Sequence, residues 1–134
     1  MGTWGHGPFE NDGAGDLLAA LRDRHFDIDD FVQNTGDGCA DYLEADDAQA
    51  AIALAEVVAV ARGIVPAPPQ LDGIDAAAYV ASLTPDQHAW IRATLARAIA
   101  DSDTSELHEL WEESGPEDLE VWRAPIAARL QSLS

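Results

Sequence analysis

The residues of this chain whose types and spacing could do chemistry begin at its amino terminus. Gly2, Gly5, Gly7, Gly13 and Gly15 surround Trp4 and Phe9, and the stretch ends in Asn11, Asp12 and Asp16. Glycine-rich backbone before a helix amino terminus can cradle a phosphate. Here carboxylates stand where the anion would sit, and the chain contains no lysine. The same glycines suit a main chain that crosses a helix at close range, with Trp4 and Phe9 as apolar plugs. Trp4, Gly5, Gly7, Phe9, Asn11, Asp12 and Asp16 are therefore candidates for a structural clasp, not for a phosphate loop.

Glu56 is the second feature, a lone acid in an apolar helical stretch. A buried carboxylate needs hydrogen-bond donors or a cation. Backbone amides of the glycine loop, the Trp4 indole or an arginine could each supply that need. The expectation is that Glu56 anchors the amino-terminal segment to the central helix, which makes it the eighth clasp candidate. Its sharper alternative is a general acid or base, because burial also raises a carboxylate pKa.

Metal and nucleophile chemistry find less support. Asp101, Asp103 and Ser105 have the spacing of a calcium loop, but Glu106 stands where that loop requires glycine. The same stretch is explained as a capping box, Asp103 to Glu106, opening a helix. Asp27, Asp29 and Asp30 fail the same calcium pattern. No two of His6, His25, His88 and His108 have the spacing of a helical zinc site, and surface positions are expected for them. Cys39 is alone, so neither an intramolecular disulfide nor a cysteine-based zinc site can form. It has no activating neighbour in sequence, and no nucleophile elbow exists. No catalytic residue, metal site or cofactor is expected.

The composition limits what these residues can serve. The chain has 134 residues, 25 Asp plus Glu against seven arginines, and a formal net charge of -18. Its hydrophobic fraction of 47% is that of a folded domain despite the charge. So acidic a surface repels nucleic-acid phosphate and anionic lipid, and favours basic or cationic partners. The longest apolar run, Ala50 to Ala61, is broken by Glu56 and is too short to span a bilayer. No signal segment is apparent, and Gly2 lacks the downstream Ser or Thr of an acylation site. A cytoplasmic location is expected, consistent with the single cysteine.

The elements that must position these residues are helical. Ala14, Leu17, Leu18 and Leu21 form the apolar face of a first helix capped by Asn11 or Asp12. Gly13 and Gly15 cost that helix about 1 kcal/mol each relative to alanine, which implies that backbone passes close to something there. A short helix is expected near Ile28 to Gln33, with Phe31 and Val32 inward. The clearest helix spans about residues 47–62 and ends at Gly63; it is apolar on nearly all sides, so it should be central. A Pro-rich connector over about residues 64–73 should cross the surface in extended form. Ile74 to Leu83 follows as a helix. Thr84-Pro-Asp-Gln87 is a capping box with proline at the first helical position. Two more helices are expected, one carrying Leu107, Leu110 and Trp111, the other Leu119, Trp122, Ile126 and Leu130. Pro125 should bend the last. The fold class is all-α: one compact domain over residues 1–134, with five to seven helices around the central apolar one.

The opening pattern Met-Gly-x-Trp-Gly-x-Gly-x-Phe-x-Asn-Asp-x-Ala-x-Asp resembles the signature of an uncharacterised bacterial family, domain of unknown function 4259. Asp41-Tyr-Leu-Glu44, Ala53 to Ala59, Ser105 to Glu112 and Trp122 are further, looser echoes. The resemblance covers essentially the whole chain and implies a small intracellular domain. It implies no activity, substrate or catalytic residue. The functional expectation is a non-enzymatic acidic interaction protein that binds a basic or cationic partner, with inhibitor or immunity-type proteins as one form. The alternative is a small enzyme or ligand-binding domain with its site between the glycine loop and Glu56.

Overall fold

The computed structural model of the protein describes residues 12–23, 26–35 and 43–133. Seven α-helices occur among them: α1 (Asp12–Arg22), α2 (Ile28–Thr35), α3 (Ala45–Ala61), α4 (Ala76–Ala81), α5 (Pro85–Ala100), α6 (Glu106–Ser114) and α7 (Pro116–Leu133). The described residues contain no strand, only one isolated parallel bridge between Leu43 and Ser105. The fold class is all-α.

The order of the helices is set by α3. Ala48, Ala51, Ala53, Leu54, Ala55, Val57 and Ala59 are all fully buried. Their position on every side of the helix explains why α3 packs against α1, α4, α5, α6 and α7 at once. Alanine makes this feasible, because a narrow helix admits neighbours on several faces. At its carboxyl end Gly63 takes φ 74°. The Gly63 amide donates to the Val60 carbonyl and the Ile64 amide to Ala59, both at 3.0 Å. Those two bonds are the left-handed cap expected from the glycine.

α1 buries Ala14, Leu17, Leu18 and Leu21, the face expected from helical spacing. Asp27 opens α2, its Oδ1 accepting from the amides of Asp29 and Asp30. Within α2, Ile28 is buried and Phe31 and Val32 are half-buried. α5 carries the complete capping box: Thr84 Oγ1 accepts from the Gln87 amide, and Gln87 Oε1 from the Thr84 amide.

Three local expectations are corrected. The connector is not wholly extended, since Pro69–Leu71 forms a 3-10 turn. Proline's fixed φ is compatible with such a turn, and burial of Leu71 draws the chain inward. α4 is shorter than Ile74 to Leu83, because Asp75 caps it by accepting from the Ala78 amide. α6 is not capped by Asp103. Ser105 is its cap, accepting from the His108 amide at 3.3 Å. Asp101 holds the turn before it, accepting from the amide and hydroxyl of Thr104. Those donors hold its carboxyl below the usual aspartate range.

α7 runs through Pro125 without interruption. Proline deletes the hydrogen bond to the carbonyl of Val121, one turn back. Both residues lie on the exposed face of the helix, where water can satisfy that carbonyl.

Candidate functional site

The seam between α1 and α3 carries the described part of the amino-terminal signature. Gly13 sits in the first turn of α1 and its amide donates to Gln49 Oε1 of α3 at 3.2 Å, in a buried position. A Cβ on Gly13 would lie 2.8 Å from the Asp46 carbonyl oxygen and 2.8 Å from Gln49 Cβ. Only glycine permits this approach, which is the close backbone passage that the weak helix start implies. A Cβ on Gly15 would meet nothing within 4 Å, so the same reading fails there. Gln49, 2% exposed, is the residue that sequence reasoning missed. Its signal was a polar side chain in an apolar helix, the property that drew attention to Glu56.

Beside this seam lies an open groove of about 260 Å³. Leu17, Ala20, Phe26 and Ala50 give it apolar walls, and Asp16, Asp46 and Asp47 give it carboxylates. The small side chains of Ala20 and Ala50 leave the space that larger residues would fill. Burial pushes the Asp47 carboxyl above its ordinary value, and the neighbouring charges of Glu44 and Asp46 push it in the same direction.

Glu56 is elsewhere. Its two oxygens accept from Arg129 of α7, Nε at 2.8 Å and Nη2 at 3.2 Å. Of the partner types open to Glu56 in sequence, the structure shows the arginine. Glu56 lies ten residues beyond Asp46, about 15 Å along the helix axis. Asp16 and Glu56 are therefore not brought together, and the described tie of Glu56 is to the last helix. Trp4, Gly5, Gly7, Phe9 and Asn11 lie outside the described residues. So do the Asp12 side chain, Cys39, His6 and His25.

His108 departs from the surface expectation: it is 7% exposed. Its helical neighbours Leu107 and Trp111 are buried too, so it belongs to the inward face of α6. The ring meets Trp122 edge-on at 6.2 Å, and Trp111 stacks on Trp122 at 6.3 Å. His108 Nδ1 has no hydrogen-bond partner and lies 3.6 Å from Glu112 Oε2. Trp111 and Trp122 are thus core anchors. His88 is partly buried, and burial with nearby Arg62 and Arg92 holds its imidazole below the ordinary value.

A second aromatic group joins α2, α4 and α5. Phe31 meets Phe26 at 5.7 Å and Trp90 at 5.3 Å, while Phe26 meets Tyr79 at 6.3 Å. The Tyr79 hydroxyl and Trp90 Nε1 are buried without hydrogen-bond partners.

Among the described residues no three His, Cys, Asp or Glu side chains are placed to hold a metal ion. None of their helices is long and apolar enough to cross a membrane. Three of the described arginines tie one part of the chain to another through main-chain carbonyls. Arg22 Nε donates to the Asp72 carbonyl, Arg62 Nη1 to that of Leu133 and Arg123 Nε to that of Ile99. The last two carbonyls are at the carboxyl ends of α7 and α5, where the helix dipole favours a cation.

Helices gathered around an alanine-rich hub, under a surface rich in carboxylates, define a small acidic all-α domain. The family described as Domain of unknown function (DUF4259) matches residues 2–125, and the chain belongs to that family. No curated protein and no solved structure matches it.

Proposed function

We propose that this protein is a non-enzymatic interaction module of the bacterial cytoplasm that binds a basic protein through its acidic surface. The observation that carries this reading is the disposition of charge. The net charge is -18, and three arginines point their donors at main-chain carbonyls. Exposed carboxylates follow one another along the exterior, among them Asp16, Asp23, Asp27, Asp29, Asp30 and Asp46. Such a field accelerates encounter with a cationic surface and disfavours nucleic acid and anionic lipid. Masking a basic toxin or a nucleic-acid-binding protein, as an inhibitor or immunity-type protein does, is the form of action that best fits a small acidic domain.

Affinity capture from the native organism at two salt concentrations, read by mass spectrometry, tests the proposal. A basic protein retained at low salt and released at high salt is the expected result. Recovery of no partner, or of one whose retention ignores salt, would overturn it.

A further inference from the structure

We infer that the groove between α1 and the amino end of α3 receives a Lys or Arg side chain of the basic partner, an inference that rests on the reading above. The groove has the two parts such a side chain needs. Leu17, Ala20, Phe26 and Ala50 offer apolar surface to the aliphatic stem, and Asp16, Asp46 and Asp47 offer carboxylates to the charged head. Phe26 adds an aromatic ring, a further attraction for a guanidinium.

Charge decides between occupants. A second copy of a chain with net charge -18 would bring like charge to the same carboxylates. An anionic ligand meets the same repulsion. A bare divalent ion lacks a ligand set among the described residues and would leave the apolar walls uncovered. The amino end of α3 opposes a cation with a partial charge of about +0.5, but three carboxylates outweigh it. Asp47 is held above its ordinary pKa by burial and by its like-charged neighbours. A cation seated beside it relieves that repulsion.

The test uses the full-length protein and fluorescein-labelled octa-arginine, followed by fluorescence anisotropy at about 50 mM salt, where screening is weak. Asp46→Asn with Asp47→Asn is expected to weaken binding about tenfold or more, and Glu113→Gln with Glu120→Gln, which removes the same charge at a distance, less than about threefold. Ala50→Phe fills the groove without changing charge and is expected to weaken binding about tenfold as well. Ala20→Leu serves the same purpose should Ala50→Phe fail to fold, as judged by circular dichroism. Binding should also weaken as pH falls through the raised pKa of Asp47. Equal losses from the two charge pairs, or unchanged binding when the groove is filled, would overturn the groove as the docking point, whether it is then filled by this chain or by a second copy. The acidic-surface reading would survive that result. Absence of octa-arginine binding by the unmodified protein would overturn both.

Discussion

Glu106 Oε1 accepts a hydrogen bond from the main-chain amide of Ala45 at 2.8 Å, across 61 residues of sequence. The contact caps the central helix from outside its own segment. Glu44, at the cap position of α3, makes no side-chain hydrogen bond to it. The same junction carries the Leu43 amide on the Thr104 carbonyl at 2.8 Å and the Glu106 amide on the Leu43 carbonyl at 2.9 Å. The amino ends of α3 and α6 are thereby fixed side by side, and one carboxylate serves a free amide of one helix from the first turn of the other.

Glu106→Ala should therefore destabilise the fold by about 1–2 kcal/mol, the usual cost of losing a charged cap. Glu106→Asp keeps the charge but is one methylene shorter, and it should recover less than half of that loss. Urea unfolding of the three proteins separates reach from charge.

Gly13 and Gly15 should respond to alanine with opposite signs. Gly13→Ala drives a Cβ into α3 backbone and is expected to cost about 1–3 kcal/mol, the range for overpacking. Gly15→Ala enters open space within a helix and should stabilise by about 0.5–1 kcal/mol through helix propensity. Thermal melts of both variants check the pair together.

The Glu56–Arg129 pair is largely withdrawn from water, with side-chain exposures of 15% and 21%. Removing the cation alone, as in Arg129→Met, leaves a carboxylate in apolar surroundings and should cost about 2–3 kcal/mol. Adding Glu56→Gln should return part of that loss, so the double variant is expected to be more stable than the sum of the single effects requires. A double-mutant cycle in denaturant measures the coupling.

Tyr79 is pushed up to about 12, first by burial and then by the charge of Asp27. The folded state keeps this proton longer than the unfolded chain, whose tyrosine ionises near the ordinary value of 10.0. The stability tied to Tyr79 is thus fully present below about pH 10 and is lost as pH rises through about 12. Tyr79→Phe should abolish this part of the alkaline destabilisation. Because the hydroxyl has no hydrogen-bond partner, the same variant should be as stable as the parent at pH 7, or more so. Ultraviolet titration of phenolate absorbance, with melts at pH 7 and pH 11, follows both effects.

Much of the helical plan was legible in local sequence. Thr84-Pro-Asp-Gln87 carries its own donors and acceptors within one turn, so its capping box is complete before any packing occurs. Gly63 marks the end of α3 for the same local reason, since a left-handed cap needs no partner from elsewhere. The burial of α3 follows from its composition, because a helix apolar on every side must be enclosed. Even the weakness of the α1 start was informative at Gly13.

Tertiary structure decided the rest, wherever the partner of a polar group is distant in sequence. Asp103 and Glu106 satisfy the spacing of a local cap, yet Glu106 turns to Ala45 and leaves Ser105 to cap α6. A pattern of residues cannot distinguish a nearby amide from an equally accessible distant one. Glu56 announces by its type that it needs a partner, but only the packing of α7 on α3 makes that partner Arg129. Gln49 and His108 were buried by helix position, not by polarity. Sequence by itself determined where helices form and which faces are apolar, because those depend on interactions within a few residues. Which polar groups meet across the α1–α3 seam, and the groove they leave open, depend on how close two helices can approach, and that distance is set at Gly13 only once both helices are in place.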